Sequence, residues 1–303
     1  MNNLVIFSGT ANPRLAKAIA QALGLSLGNC LVEQFPDGEI GVRLLEPVRQ
    51  KTVLLIQSTS PPVNDYLIEL LALADACRRA AAERIIAVVP YFGYARADKR
   101  HGHLEPITAS VVAELLQVVG IEQVITLDLH APQIEGFFRI PVDSLTAVPT
   151  LCEALHDRLP PGVVVVSPDT GRVQMASQYA QKLDTEVIVL HKQRRSGTET
   201  EVTRVVGDVR DRPCLIIDDM ISTGGTIAKS IEALLDAGAQ SKITIAATHG
   251  LFVKDARAKL GHESIQTIFV TDTVSPRETD WSQLQVVSVA PLIAAAIEQS
   301  IAP

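Results

Sequence analysis

Short runs of Val, Ile and Leu alternate along the chain with longer stretches in which Ala, Leu and Ile recur every three or four positions. The short runs fit strands buried on both faces, and the longer stretches fit amphipathic helices. Strands are predicted at Leu4–Phe7, Val53–Gln57, Ile85–Pro90, Val124–Leu127, Val163–Ser167, Val187–Leu190, Leu215–Ile217, Ile243–Thr248 and Ile265–Val270. Helices are predicted at Leu15–Leu23, Tyr66–Ala82, Ile107–Val119, Val148–Arg158, Arg172–Leu183, Thr226–Ala237 and Leu292–Gln299. Such alternation predicts an α/β fold on mostly parallel sheets flanked by helices.

The pattern also repeats. Val53-Leu-Leu-Ile-Gln57 leads through Ser58-Thr59-Ser60-Pro61-Pro62 into a helix and on to Ile85–Val89. Leu215-Ile-Ile-Asp218 leads through a glycine loop into a helix and on to Ile243–Ala247. This rough repeat predicts two similar α/β domains, 1–145 and 146–303, with the boundary within Pro141–Pro149. It leaves open that the last helix packs back on the first domain. Gln57 and a Pro-Pro stand in the first copy where the second has acids and glycines, so no phosphate binding is expected at the first loop.

Composition narrows the function classes. The 303 residues exceed one typical domain, and 47% hydrophobic with 20% charged residues supplies ample cores. A net charge of −7 without a lysine-rich tract disfavours generic nucleic-acid binding, so any phosphate site must be local. Cys30, Cys77, Cys152 and Cys214 form no Cys-x-x-Cys pair and read as buried apolar residues in a reducing compartment. With neither a basic leader nor an apolar stretch of membrane-spanning length, a soluble cytoplasmic protein is expected.

The most informative chemistry lies in Cys214-Leu-Ile-Ile-Asp218-Asp219-Met220-Ile221-Ser222-Thr223-Gly224-Gly225-Thr226. A buried strand is expected to end at two adjacent carboxylates, and a glycine loop then opens a helix closed near Gly238. Backbone amides at a helix N-terminus form an anion site, to which Ser222, Thr223 and Thr226 add hydroxyls. Carboxylates repel a phosphate, but beside one they can hold the hydroxyls of a sugar whose phosphate sits in the loop. A plain strand–turn–helix with an Asp N-cap is the alternative, and paired acids followed by Thr-Gly-Gly-Thr weigh against it.

Other segments admit two readings each. Phe35-Pro36-Asp37-Gly38-Glu39 is a hairpin turn, or a purine site with Phe35 stacking and the carboxylates accepting from an exocyclic amine. Tyr91–His101 gathers Arg96, Lys99, Arg100 and His101, which suits a polyanion such as triphosphate or a solvated loop. Asp128 and His130 are placed on one face of an extended segment at a strand's carboxyl end, where ligands of parallel sheets bind. His130 is otherwise a structural histidine. Asp169 in Ser167-Pro-Asp-Thr-Gly-Arg172 is a site acid or an N-cap. His191–Glu199 reads as a polar loop that either closes over phosphates or merely links strands.

Taken in order, these segments resemble the ribose-phosphate pyrophosphokinase (PRPP synthetase) family. The resemblance rests on Phe7-Ser-Gly-Thr-Ala-Asn12, Phe35–Glu39, Gln57–Ser60, Pro90-Tyr-Phe-Gly-Tyr-Ala-Arg96, Leu127-Asp-Leu-His-Ala-Pro-Gln-Ile-Glu-Gly-Phe-Phe138, Ser167-Pro-Asp169 and Asp218–Thr226. There is no Gly-x-x-x-x-Gly-Lys-[Ser/Thr] P-loop, so ATP use would follow another pattern. The resemblance implies a tandem phosphoribosyltransferase-like fold. It also implies transfer of the β,γ-diphosphoryl group of ATP to the 1-hydroxyl of ribose 5-phosphate, giving PRPP and AMP for nucleotide biosynthesis.

By the same resemblance, Phe35, Asp37, Gly38 and Glu39 would hold adenine, and Arg96 and Ala97 would meet the ATP phosphates. Asp128, His130 and Asp169 would hold Mg²⁺. Lys192 and Arg194 would be catalytic, Arg194 also reaching the ribose phosphate. Asp218 and Asp219 would take the ribose hydroxyls, and Ser222, Thr223, Gly224, Gly225 and Thr226 the 5-phosphate. A homo-oligomer, a hexamer in the family's pattern, is implied, with no membrane or nucleic-acid partner. Ala97, Arg139 and Ser222 depart from the family's common Gln, Asp and Asp. Two rivals remain: a non-catalytic regulatory homologue, and a phosphoribosyltransferase that consumes PRPP and needs no ATP site.

Overall fold

The computed structural model describes residues 3–100, 102–194, 201–276 and 280–301. The chain divides into two compact units: Met1–Thr146 with Thr273–Ser275 and Ser288–Pro303, and Ala147–Asp272 with Pro276–Val287.

The first unit runs β1 (Leu4–Ser8), α1 (Pro13–Ala22), β2 (Cys30–Gln34), β3 (Ile40–Leu44), β4 (Thr52–Ile56), α2 (Val63–Arg79), β5 (Arg84–Val89), α3 (Thr108–Val118), β6 (Gln123–Leu127) and β7 (Val142–Leu145). Five of its strands form a parallel sheet in the order β1-β4-β5-β6-β7, while β2 and β3 pair antiparallel as a separate hairpin. Continuous apolar runs suit the central strands because both faces are covered: Val53, Leu54 and Leu55 of β4 and Ile86–Val89 of β5 are fully buried. Helix α2 turns Leu67, Leu70, Leu73, Ala74 and Cys77 inward, the three-to-four spacing of an amphipathic helix.

The second unit continues with α4 (Val148–Leu155), β8 (Val164–Ser167), α5 (Val173–Leu183), β9 (Val187–Arg194), β10 (Glu201–Val206), β11 (Cys214–Ile221), α6 (Gly225–Asp236), β12 (Ile243–Gly250), α7 (Ala256–Lys259), β13 (Ile265–Thr271) and β14 (Leu284–Val287). Its sheet has the order β10-β9-β8-β11-β12-β13-β14 and is parallel throughout except for the antiparallel pair β9–β10. The last helix, α8 (Ala290–Ile301), belongs to the first unit and packs on α1. At its end, Ser300 accepts from Arg84 through its carbonyl at 3.1 Å and donates from Oγ to Asp143 at 3.1 Å. Cys77, Cys152 and Cys214 are buried and free, and burial pushes the Cys77 thiol up to about 12.

The two loops of the repeat differ physically. In the first unit Gln57, Ser58, Thr59 and Ser60 are all fully buried, and the first three are turned to internal partners. Gln57 Oε1 accepts from the Ala11 amide at 3.1 Å, and Ser58 Oγ donates to the Thr273 carbonyl at 2.5 Å. Thr59 Oγ1 accepts from the Gly93 amide at 2.6 Å. A Cβ on Gly93 would sit 2.5 Å from the Thr59 carbonyl oxygen, so this loop is sealed by its neighbours.

Three expectations change. Strand β11 does not end at the acids but carries them, because β12 stays paired with it through Asp218↔Ala247 to Ile221↔Gly250. The expected loop at His191–Glu199 is strand as far as Arg194, held by the antiparallel register with β10; residues 195–200 lie outside the described residues, as does His101. Asp128 is not extended: its φ of +36° turns the chain away from β6, so Asp128 and His130 do not share the face of a strand.

Candidate functional site

In the second unit the site grows from the middle of the sheet. Cys214–Ile217 are fully buried, which fixes β11 between β8 and β12. On the β8 side the pairing stops at Ile216↔Val166, whereas on the β12 side it runs on to Ile221. Asp218 and Asp219 therefore lie on a stretch of β11 that β8 does not cover. The 3-10 turn Thr170–Arg172 that follows β8 lies beside this stretch.

That turn brings a cation to the acids. Arg172 Nε lies 3.3 Å from Asp218 Oδ1, and Arg172 Nη2 lies 3.0 Å from Asp219 Oδ1. The Asp219 amide also donates to Asp218 Oδ1, at 2.9 Å. Burial pushes the Asp218 carboxyl well above its ordinary range, and the adjacent Asp219 carboxyl pushes the same way; the Arg172 charge opposes both. Asp169 begins the turn and caps it: its Oδ1 accepts from the Gly171 amide at 2.8 Å. The N-cap reading thus describes one of its two oxygens.

Ser222–Gly224 link the acids to α6. The Val253 amide donates to the Ser222 carbonyl at 3.0 Å and the Leu251 amide to the Ile221 carbonyl at 2.9 Å, tying the loop to the segment after β12. Phe252 anchors that segment against Trp281, edge to face at 5.1 Å. Gly224 adopts φ +73°, a left-handed conformation that lets the chain turn sharply into the helix. Among the described residues no side chain caps α6, and its first-turn amides have no intrahelical acceptor. Half-buried Ser222, Thr223 and Thr226 surround this N-terminus. Gly238 falls one residue past the C-cap Ala237, with φ +89°.

The first unit holds further candidates. Phe35–Glu39 form the tip of the β2–β3 hairpin, where Gly38 has φ +94° and the Gly38 amide donates to the Phe35 carbonyl at 2.9 Å. Asp37 Oδ1 accepts from the Glu39 amide at 3.1 Å, and the whole tip is exposed, the Phe35 ring lying over Gly41. A cavity of about 330 Å³ between this hairpin and the start of α2 is lined by Gln34, Ile40, Asp65, Tyr66 and Glu69 among others, and not by the tip itself. Arg96 is exposed; the Ala97 amide donates to the Tyr94 carbonyl at 2.8 Å. Asp98 of the same segment is buried and accepts from Gln133, so it braces the segment. Asp128 and His130 are half-buried just after β6.

Comparison with known proteins decides the family. Residues 4–120 match the N-terminal domain of ribose phosphate pyrophosphokinase, and residues 155–284 match the phosphoribosyl transferase domain. The Thermotoga maritima protein named ribose-phosphate pyrophosphokinase is 46% identical over 299 residues, covering 98% of this chain and 94% of its own length. Its Haemophilus influenzae namesake is 44% identical over 307 residues, covering 99% and 96%. The crystal structure of phosphoribosylpyrophosphate synthetase from Mycobacterium smegmatis superimposes with a TM-score of 0.92 at 39% identity, covering 98% of each chain. The chain belongs to the ribose-phosphate pyrophosphokinase family.

It is therefore an enzyme, and ribose-phosphate pyrophosphokinases need a metal. Among the described residues no group of three or more His, Cys, Asp or Glu could hold a metal ion. Mg²⁺ needs no such cage, because it keeps waters and shares one or two carboxylates with substrate phosphates. Asp128 in the first unit and Asp169 in the second each carry oxygen donors of the kind that chemistry uses. Lys192 and Arg194 lie on β9, with Lys192 opposite Thr203 and Arg194 opposite Glu201. The residue that sequence reasoning passed over is Arg172. The signal available was that two adjacent buried acids require a cation, but its identity depended on a fold that joins residues 46 apart. No helix among the described residues is long and apolar enough to cross a membrane.

Proposed function

We propose that this enzyme transfers the β,γ-diphosphoryl group of ATP to the 1-hydroxyl of ribose 5-phosphate, releasing PRPP and AMP. The observation that carries the reading is the carboxyl end of β11: an acid pair, a left-handed glycine and an uncapped helix N-terminus follow one another within a few residues. The 5-phosphate is read into the α6 amides with the hydroxyls of Ser222, Thr223 and Thr226, and Gly224 and Gly225 let it approach the backbone. Asp218 and Asp219 accept from the ribose hydroxyls.

ATP binding is assigned to Phe35, Asp37, Gly38 and Glu39 for adenine, and to Arg96 with the Ala97 backbone for the phosphates. Asp128, His130 and Asp169 would hold Mg²⁺ together with ATP oxygens. Bound there, the ion supplies positive charge to the diphosphoryl group as it transfers. Lys192 and Arg194 add fixed cations for the charge that develops on that group and on the departing AMP oxygen. A homo-oligomer in the cytoplasm is the assembly and place that fit this role.

The test is a direct assay with ATP, Mg²⁺ and ribose 5-phosphate. Equal amounts of AMP and PRPP are expected. ADP in place of AMP would make the enzyme a kinase acting on the γ-phosphate, and ATP binding without product would make it a regulatory homologue.

A further inference from the structure

Adjacent residues of a strand point to opposite faces, so two neighbouring carboxylates on β11 should diverge. They do not act separately here. A single guanidinium spans both, Nε reaching Asp218 Oδ1 at 3.3 Å and Nη2 reaching Asp219 Oδ1 at 3.0 Å. We propose that Arg172 is a positioning residue of the ribose site, holding Asp218 and Asp219 in the one arrangement that receives the sugar hydroxyls. The proposal rests on the reading of this acid pair as the ribose site.

Three observations support it. The contact is a fork: two donors of one planar group meet two different acceptors at fixed spacing, a geometry an ammonium cannot copy. Exposure divides the roles, since the Asp219 side chain is 2% exposed and that of Asp218 is 13% exposed. Asp219 is the more deeply held acceptor of the pair, and Asp218 the more open toward a ligand. Finally, Arg172 is placed by the same turn that Asp169 caps, and it sits at 15% exposure where β8 no longer covers β11.

The experiment measures KM for ribose 5-phosphate, KM for ATP and kcat for Arg172→Ala, Arg172→Lys and Asp218→Asn, with thermal unfolding of each. In Arg172→Ala, KM for ribose 5-phosphate should rise roughly ten- to a hundredfold while KM for ATP stays within about twofold. Guanidinium ion at sub-denaturing concentration should partly restore ribose 5-phosphate affinity, which loss of packing alone would not allow. Arg172→Lys should fall between, keeping the charge without the fork. If Arg172→Ala does not fold, Arg172→Lys carries the test, and a wild-type KM for ribose 5-phosphate in it overturns the proposal. A folded Arg172→Ala with unchanged KM overturns it too. Asp218→Asn separates the causes: a raised KM there beside an unchanged one in Arg172→Ala removes Arg172 alone. Unchanged values in both remove the ribose reading itself.

Discussion

The backbone amide of Asp219 donates to Oδ1 of Asp218 at 2.9 Å, folding the first carboxylate of the pair back toward its own strand. Arg172 Nε meets the same oxygen. Asp218 is thus held by fixed donors, which, in the ribose role proposed for it, lowers the ordering cost of binding.

Asp218→Asn keeps the shape and one acceptor but removes the charge. Hydrogen bonds to charged groups contribute about 1.5–3 kcal/mol, so ribose 5-phosphate affinity should fall by roughly one to two orders of magnitude. ATP binding should change little. Titration calorimetry with ribose 5-phosphate checks this, and an unchanged dissociation constant refutes the role given to Asp218.

The same carboxyl makes stability depend on pH in a stated direction. Burial, and then the Asp219 charge, raise its folded value above the ordinary 3.8. A carboxyl raised on folding binds its proton more tightly in the native state, so it favours folding at low pH, and that contribution is lost as pH rises through the raised value. Asp218→Asn removes the effect. Its melting temperature relative to wild type should therefore increase from mildly acidic to neutral pH. A gap that is constant or shrinks over that range would show that Asp218 is not raised.

How far the sequence foretold this arrangement depended on whether the cause was local. The runs at Val53–Ile56 and Leu215–Ile217 were legible because burial on both faces leaves no polar position to break them. The Gly224 turn was legible because a strand must enter a helix within three residues. The edge strands Val142–Leu145 and Leu284–Val287 were not, being four residues long and only half-buried. β11 extends past two acids because β12 runs beside it, a cause that lies in a neighbour. The Arg172 contacts are invisible for the same reason. The turn at Asp128 has no local glycine to announce it.

Gly224 has a sharper requirement than its neighbour Gly225. At φ +73° an L residue is strained by about 1–2 kcal/mol, and a Cβ there would lie 3.1 Å from Leu260 Cγ. At Gly225 the nearest atom outside its own surroundings is Thr223 Oγ1 at 3.7 Å. Gly224→Ala should therefore lower stability by roughly that strain and weaken ribose 5-phosphate binding by tilting the α6 amides. Gly225→Ala should cost less stability. Paired chemical denaturation of the two variants tests the order, and equal losses would mean that the left-handed turn does not set the cost.

Lys192 stands on β9 opposite Thr203, at the antiparallel edge of the second sheet. Its assigned charge is useful only when the diphosphoryl group is in flight, because the added negative charge on that group and on the AMP oxygen exists only in the transition state. Removing such a cation should cost turnover rather than substrate affinity. Lys192→Ala is expected to lower kcat by roughly 10²–10³-fold while leaving KM for ribose 5-phosphate nearly unchanged. Steady-state kinetics at saturating ATP and Mg²⁺ separate the two parameters. A rise in KM with normal kcat would make Lys192 a binding residue, and near-normal values of both would remove it from the mechanism.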